Sequence, residues 1–311
     1  MDATAAGRGR TQRLQREDLR DWLRLLGTEG VGNDAVRRLL AQHGWPSTVF
    51  EQPLERLREC VSERQALALT QEPADLDQWL QQLLQWLDGA PDPTGVERAV
   101  LIPGDPRYPP ALLSMADPPL WLYAVGQPAH LEALGRLQAD GSGPAAVAVV
   151  GSRNPTPQGL INAKAFARNL ASQGLPVVSG LALGVDGAAH QGALEGAAGD
   201  ALATVAIVGT GLDRVYPRQH LELARAIAQR GVLLSEYPLG TPPLSANFPK
   251  RNRLIAGLSR GTLVIEAALQ SGSLITARLA AEMGRDVFAI PGSIHAAQSK
   301  GCHALIKQGA R

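Results

Sequence analysis

From residue 145 to its end, the chain alternates short apolar runs with stretches of helical periodicity. The apolar runs lie at 147–150, 176–179, 204–208, 232–235, 263–265 and 287–290, and helices are predicted near 157–173, 187–197, 219–230, 250–258 and 274–283. A strand that is apolar at every position is buried on both faces, as in a mainly parallel sheet covered by helices. The pattern therefore predicts an α/β fold, in which ligands bind outside the carboxyl ends of the strands.

The first third of the chain has a different pattern. Apolar residues recur at helical spacing from 17 to about 88, which predicts an all-helical domain over 17–95, of the helix-hairpin-helix or SAM-like type. Residues 1–16 are rich in Ala, Gly and Arg and are expected to form a disordered leader. Residues 89–95 have the composition of a linker. Residues 96–311 are predicted to form the second domain. Two further short strands are predicted in it, at 99–102 and 120–124.

A glycine-rich turn separates the first two predicted helices, at Gly30-Val31-Gly32. Such a turn can offer backbone N–H groups to a phosphate, and the following helix adds a favourable dipole. The same turn can be the corner of a helical hairpin that packs against its neighbours. Glu29 and Asp34 flank the turn and favour this second interpretation, because they repel a phosphate.

Charge and cysteine content exclude several classes of site. The formal net charge is +1, so any nucleic-acid site has to be a local patch. Cys60 and Cys302 have no partner at metal-ligand spacing, which argues against a disulfide or zinc site and fits a reducing cytosol. The sequence has no apolar run long enough to cross a membrane and no apolar signal core at its N-terminus.

Polar or glycine-rich turns follow nearly every predicted strand. Five of them lie at 151–153, 180–187, 209–211, 271–273 and 291–293. Because glycine lets a backbone approach a ligand and helix N-termini favour anions, the five turns together predict a phosphate-binding edge. Singly they match no nucleotide motif: Arg214 stands where the dinucleotide fingerprint requires a third glycine, and no Lys-Ser/Thr pair follows Gly184 as in a P-loop.

Residues 247–260 form the most basic segment of the second domain. The segment carries Lys250, Arg251, Arg253 and Arg260, has no acidic residue, and begins near Phe248. Arginine can pair with phosphate, and an aromatic face can stack a base. Arg251 and Arg253 cannot share one helix face, so one is expected to contact ligand and the other to bind within the protein. On charge alone, a solvated helix start with Phe248 in the core explains the segment equally well.

The chain closely resembles the DNA-processing protein A (DprA/Smf) family from about residue 98 to 311. The motifs that carry the resemblance are, in chain order, Gly104-Asp-Pro-Arg-Tyr-Pro109, Asp117-Pro-Pro-Leu-Trp-Leu-Tyr123, Val150-Gly-Ser-Arg153, Ser179-Gly-Leu-Ala-Leu-Gly-Val-Asp-Gly-Ala-Ala-His190, Gly209-Thr-Gly-Leu-Asp-Arg-Val-Tyr-Pro217, Leu234-Ser-Glu-Tyr-Pro238, Asn247-Phe-Pro-Lys-Arg-Asn-Arg253, Ser271-Gly-Ser-Leu-Ile-Thr-Ala277, Ala289-Ile-Pro-Gly292 and Ser299-Lys-Gly301. The N-terminal helices match the family only loosely.

The resemblance implies an extended Rossmann fold that binds single-stranded DNA. It further implies a cytoplasmic homodimer that protects incoming strands and delivers them to RecA during natural transformation. A C-terminal winged-helix domain, which many members carry, is not expected in this chain. The DNA-binding residues implied are Ser152, Arg153, Gly180, Gly184, Asp186, Asn247, Phe248, Lys250, Arg251, Arg253, Ser271, Gly272, Ser273 and Lys300.

Candidate catalytic residues have simpler explanations. Asp186 is well placed to cap a helix, His190 to hydrogen-bond within the core, and Glu266 to bind a ribose hydroxyl or brace backbone N–H groups. The sequence shows no activated nucleophile, metal cluster or Walker motif, so we expect no catalytic activity, metal or cofactor. Two alternatives stay open. One is a phosphoribohydrolase acting on nucleoside monophosphates, although residues 271–276 lack its glycine pattern, and the other is a mononucleotide sensor.

Overall fold

The computed structural model describes residues 14–89 and 93–311. The chain divides into two compact units, Met1–Trp86 and Leu87–Arg311. The division falls at the end of the sixth helix, ahead of the domain boundary predicted at 95/96. Two predicted segments lie partly outside the described residues: the leader at residues 1–13 and the linker at residues 90–92.

The first unit contains six helices within its described residues. They are α1 (Arg16–Gly27), α2 (Asn33–His43), α3 (Pro46–Phe50), α4 (Leu54–Cys60), α5 (Glu63–Leu69) and α6 (Leu76–Leu87). The apolar stripes seen in the sequence form its core, in which Leu25, Val36 and Leu39 are fully buried. Each helix is too short to be stable alone, so this packing stabilises the unit.

The glycine turn between α1 and α2 is held from inside the unit. Gln65 at the start of α5 donates a hydrogen bond to the Gly30 carbonyl at 2.8 Å, and Val31 is buried. The φ of Gly30 is +76°, in the left-handed region that glycine adopts without the steric cost a side chain would add. These contacts favour the packing interpretation of the turn.

The second unit is built on one eight-stranded sheet. Its strands are β1 (Glu97–Leu101), β2 (Leu122–Gly126), β3 (Val147–Val150), β4 (Val177–Ser179), β5 (Thr204–Ile207), β6 (Val232–Ser235), β7 (Gly261–Val264) and β8 (Asp286–Ala289). The spatial order is β1-β2-β6-β5-β4-β3-β7-β8. The six strands from β6 to β8 in this order are parallel, whereas β1 pairs β2, and β2 pairs β6, in the antiparallel sense.

Helices cover both faces of the sheet, which confirms the predicted fold class. The helices of this unit are α7 (Pro128–Leu134), α8 (Pro157–Ser172), α9 (Val185–Gly196), α10 (Leu221–Arg230), α11 (Asn247–Leu258), α12 (Ser273–Glu282) and α13 (Lys300–Lys307). Strand residues alternate between the two layers, as their period of two requires. In β3, Ala148 and Val150 pack in the layer that contains α11 and α12, while Val149 packs against α8 and α9.

The described part of the chain contains no helix with the length and apolarity that crossing a membrane requires. Its longest helix, α8, has 16 residues.

Candidate functional site

The connection order places a crevice at the carboxyl ends of β3 and β7. From β3 the chain runs outward through β4, β5 and β6 on one side, then returns to β7 and β8 on the other. Helices after β3 and β7 therefore lie on opposite faces of the sheet, and the loops that lead to them diverge. Such a switch point is where open parallel sheets bind ligands.

A cleft of about 580 Å³ lies at this switch point. The predicted site residues that line it are Arg153, Asp186, Phe248, Arg251, Ser271, Gly272 and Ser273. The loops that carry them follow β3, β4 and β7, together with the first two turns of α11. Ser152 and Gly184 lie just behind the lining, where the Ser152 carbonyl accepts a hydrogen bond from Val185 N at 3.1 Å. Lys250 is exposed on α11, and Lys300 is exposed at the start of α13 without lining the cleft.

Arg251 lines the cleft, but its guanidinium is engaged within the protein. The residue is only 4% exposed, and its Nη1 donates to the Gly180 carbonyl at 2.6 Å and also to the Ile207 carbonyl. Burial lowers the pKa of Arg251, and the charge of Asp186 opposes this. Arginine nevertheless stays protonated in proteins. Arg251 therefore joins the ends of β4 and β5 from beneath the cleft.

Asp186 is the buried counter-charge of Arg251. Burial raises the pKa of its carboxyl, whereas the Arg251 charge and backbone N–H groups lower it. Its Oδ2 accepts a hydrogen bond from Ala182 N at 3.3 Å, so it braces the loop before α9. The N-cap of α9 is Gly184, two residues before Asp186, so Asp186 does not occupy the predicted capping position and instead bonds the loop that precedes the helix.

Arg253 is bound within the protein as well. Its Nη2 forms an ion pair with Glu236, which follows β6, and its Nη1 donates to the Asp117 carbonyl at 2.7 Å. Both arginines are thus engaged within the protein while Arg251 also lines the cleft, so which of them contacts ligand stays a prediction. Helix α11 packs against the sheet layer over most of its circumference, which leaves Lys250 as its outward cation.

Phe248 lies half-buried at the wall of the cleft. The guanidinium carbon of Arg153 lies 5.2 Å from its ring centroid, and the ring of Tyr216 lies 5.6 Å from it with the two planes inclined by 35°. Asn247, the first residue of α11, donates to the Gly209 carbonyl at 3.1 Å and anchors the start of the helix. An exposed cation and two aromatic rings thus meet at one place.

The N-terminus of α8 is occupied by a carboxylate of the protein itself. Glu266 accepts hydrogen bonds from Thr156 N at 2.8 Å and from the Thr156 hydroxyl, and that hydroxyl caps the helix by accepting from Gly159 N at 3.0 Å. An anion at this helix N-terminus is stabilising. Of the roles foreseen for Glu266, the structure therefore shows the bracing of backbone N–H groups, and α8 offers no vacant phosphate site.

The start of α12 remains open to the cleft. Ser271 and Ser273 hydroxyls lie 2.7 Å apart, and Asn252 of α11 donates to the Gly272 carbonyl at 3.2 Å. Gly272 is exposed, and a side chain there would meet nothing within 4 Å. This helix N-terminus can accept an anion, since hydroxyl donors and the helix dipole meet there.

His190 faces the core and not the cleft. Its Nδ1 lies 2.7 Å from the Thr204 hydroxyl, and because that hydroxyl donates to the Val177 carbonyl, Nδ1 is the donor in this bond. Burial lowers the pKa of His190 to about 3. Within residues 14–89 and 93–311, no three His, Cys, Asp or Glu side chains are grouped closely enough to hold a metal ion.

The cleft lining also contains residues that were not predicted as site residues, among them Tyr216 and Asn252. Tyr216 follows the glycine-rich turn after β5, and its signal is an aromatic residue in a loop that follows a strand. Asn252 lies between Arg251 and Arg253.

The sequence and the structure match known proteins. The family model of DNA recombination-mediator protein A matches residues 99–311. Protein Smf of Escherichia coli is 47% identical over 212 residues, which are 68% of this chain and 53% of that protein. DNA processing protein DprA of Streptococcus pneumoniae is 50% identical over 165 residues, which are 53% of this chain and 57% of that protein. The chain spans about half the length of these relatives.

Two solved structures share the fold. DNA processing protein A from Streptococcus pneumoniae superposes with a TM-score of 0.74 at 34% identity, covering 96% of this chain and 95% of that one. A Helicobacter pylori DNA processing protein A, whose structure describes a single-stranded DNA binding mode, gives a TM-score of 0.59 at 33% identity. The superposition covers 70% of this chain and 91% of that one. Because the family model matches residues 99–311, well over half of the chain, the chain belongs to the DNA recombination-mediator protein A family.

Proposed function

We propose that this chain binds single-stranded DNA, without sequence preference, in the cleft at the ends of β3 and β7. The observation that carries the proposal is the cluster of Arg153, Phe248 and Tyr216, which joins a cation to two aromatic rings. The start of α12 adds a second place for a phosphate. The single-stranded DNA binding mode described for the Helicobacter pylori relative supports the same ligand.

The chemistry of the cluster favours single strands over duplex. Stacking needs an unpaired base whose face is free, and every base has such a face, so stacking tolerates any sequence. Phosphate contacts carry no sequence information either. A chain with a net charge of +1 has little general attraction for DNA, so its affinity has to come from this local cluster.

We further propose, from the family, that the protein is a cytoplasmic homodimer that protects single strands and delivers them to the RecA recombinase. It would act as a binding protein and not as an enzyme. In support, Asp186, the acidic residue that lines the cleft, accepts a hydrogen bond from Ala182 N and faces the Arg251 charge. Glu266, Glu236 and His190 are likewise engaged within the protein, with Thr156, Arg253 and Thr204 respectively.

The test compares labelled single-stranded and duplex oligonucleotides by fluorescence anisotropy. Arg153→Ala should weaken single-strand binding about tenfold or more, because hydrogen bonds to charged groups contribute about 1.5–3 kcal/mol. Arg168→Ala is the matched control, since Arg168 is exposed on α8 and does not line the cleft. Equal affinity of Arg153→Ala and the parent would remove Arg153 from the site. Incubation with AMP separates the alternatives: adenine release indicates a phosphoribohydrolase, and saturable binding of AMP alone indicates a sensor.

A further inference from the structure

Leu181 carries backbone strain in the loop between β4 and α9. Its φ is +58°, and among the residues that the structure describes no other non-glycine residue has a positive φ. An L-residue disfavours this left-handed region, so the surrounding structure has to hold it there. The next residue, Ala182, lines the cleft. Whatever holds Leu181 therefore also holds part of the cleft wall.

Two side chains fix the peptide planes on either side of Leu181. The φ and ψ of a residue are rotations about the bonds to its two flanking peptides. Arg251 donates to the Gly180 carbonyl at 2.6 Å and so fixes the peptide before Leu181. His220 Nδ1 lies 3.0 Å from the Leu181 carbonyl oxygen. Because a carbonyl oxygen can only accept, Nδ1 donates this bond and fixes the peptide after Leu181.

His220 reaches this carbonyl from outside the cleft. It ends the short 3₁₀ helix Arg218–His220, is half-buried, and does not line the cleft. Its ring lies against the first turn of α9, where a methyl group at Gly187 would be 2.7 Å from His220 Cε1 and 2.9 Å from Nε2. The next atom that this methyl group would meet is the Ala182 carbonyl oxygen, at an ordinary 3.6 Å. The ring thus occupies the space that a side chain at residue 187 would need.

We propose that His220 is a positioning residue for the single-strand site. It holds Leu181 in the left-handed conformation through the bond to the carbonyl, and Gly187 leaves the space that its ring requires. The inference rests on the proposed single-strand binding and adds a residue that acts on the cleft without touching the ligand. If the loop leaves this conformation, apparent affinity falls with the fraction of molecules whose cleft is complete.

The first experiment measures single-strand affinity by fluorescence anisotropy across a salt series. His220→Ala should weaken binding about 5- to 30-fold, the factor by which an L-residue avoids the left-handed region. The slope of log K against log salt concentration should stay as in the parent, because no phosphate contact is lost. Gln219→Ala, at the exposed neighbouring residue, is the matched control and should bind as the parent does.

Conservative variants separate the hydrogen bond from the bulk of the ring. His220→Asn should restore most of the affinity, because the asparagine amide nitrogen is a donor at about the same distance from the backbone as Nδ1. His220→Gln places its amide one bond further out and should bind as weakly as His220→Ala.

The second experiment measures stability by urea titration and needs no DNA. Alanine is ordinarily preferred to glycine inside a helix. Because a methyl group at residue 187 meets the histidine ring, Gly187→Ala should lower the urea midpoint of the parent. In the His220→Ala background the ring is gone, so the same substitution should raise the midpoint.

Several results would overturn the inference. If His220→Ala binds single strands as tightly as the parent, or if His220→Asn is as weak as His220→Ala, the bond to Leu181 does not position the loop. A flattened salt slope in His220→Ala would mean that the imidazole contacts a phosphate itself. If Gly187→Ala shifts the midpoint in the same direction in both backgrounds, the ring does not occupy that space. A parent that binds no single strand refutes the proposed function, and the stability cycle distinguishes this outcome from a failure at His220.

Discussion

Arg251 shows how one residue can line a cleft and still belong to the scaffold. Its guanidinium bonds the carbonyls of Gly180 and Ile207 and faces the buried carboxyl of Asp186. A buried charge of this kind is tolerated because Nη1 is hydrogen-bonded and a counter-charge is near, although Nε is buried without a hydrogen-bond partner. The arrangement makes Arg251 a determinant of stability.

We expect Arg251→Met to lower the free energy of unfolding by about 3–5 kcal/mol, because it leaves Asp186 as an uncompensated buried charge. Urea titration measures this loss. Lys250→Met is the control, since Lys250 is exposed on the same helix and should change stability by less than about 0.5 kcal/mol. The double variant Arg251→Met with Asp186→Asn should recover part of the loss. A loss below about 1 kcal/mol in Arg251→Met would show that the guanidinium does not hold the scaffold.

The basic segment is evident in the sequence, but the sequence does not show which of its cations face solvent and which bind within the protein. Adjacent residues of a helix point about 100° apart. Which direction faces the sheet depends on partners far away in the chain, such as Asp186 for Arg251 and Glu236 for Arg253. The same limit applies to Tyr216, because its closeness to Phe248 arises only when the turn after β5 meets the start of α11.

At the scale of elements, His190 connects α9 to two strands. Its Nδ1 bonds the hydroxyl of Thr204 in β5, which bonds the Val177 carbonyl in β4. Burial lowers the His190 pKa from an ordinary 6.5 to about 3. The native state therefore binds fewer protons than the unfolded state between these two values. The stability that neutral His190 provides is complete above about pH 6.5 and is lost as the pH falls toward 3.

We expect the free energy of unfolding to fall more steeply between pH 6.5 and 4 in the parent than in His190→Asn, whose amide can replace Nδ1 as donor but does not titrate. The difference in slope is at most about 1.4 kcal/mol per pH unit, the value for one proton. Urea titrations at several pH values measure it, and His295→Asn, at an exposed histidine, should follow the parent. Parallel curves for His190→Asn and the parent would mean that His190 does not stay neutral.

The strands of the parallel sheet were predictable to within about two residues because each is a compact apolar run bounded by turns. β3 and β6 have the predicted limits. β7 starts two residues earlier than predicted, at Gly261, because Gly261 and the polar Thr262 are not part of an apolar run. Thr262 is nevertheless buried and pairs in register with Ala148 of β3. The short helices α7 and α13, of 7 and 8 residues, were missed because they are too short for a clear periodicity. Strand order depends on contacts between distant segments, so the place of β1 and β2 beside β6 was beyond sequence reasoning.

At the scale of the whole molecule, the near-neutral charge makes the salt dependence of binding informative. Each cation that neutralises a phosphate on a single strand contributes about 0.7 to the slope of log K against log salt concentration. We therefore expect Arg153→Ala and Lys250→Ala each to flatten the slope by about that amount, equally for mixed-sequence and homopolymer DNA, as measured by anisotropy across a salt series.

Arg37→Ala and Arg38→Ala in the helical unit are the comparison. Both arginines lie close to Asp34, and Arg38 also bonds the Cys60 carbonyl, so they serve the helical unit. Their removal should leave the slope unchanged. If these variants flatten the slope while Arg153→Ala and Lys250→Ala do not, the DNA site belongs to the helical unit, and the cleft needs another ligand.

The hydrogen bonds of Glu266 have a consequence for the rate of binding. Its side chain holds Thr156, its carbonyl accepts from Ser152 N at 2.8 Å, and the Ser152 carbonyl accepts from Val185 N. The loops after β3, β4 and β7 are thereby joined before any ligand arrives. Little conformational entropy is then lost on association. A strand that meets the cleft finds it already formed, so association should not be slowed by a conformational change, and differences in affinity among variants should appear mainly as differences in residence time.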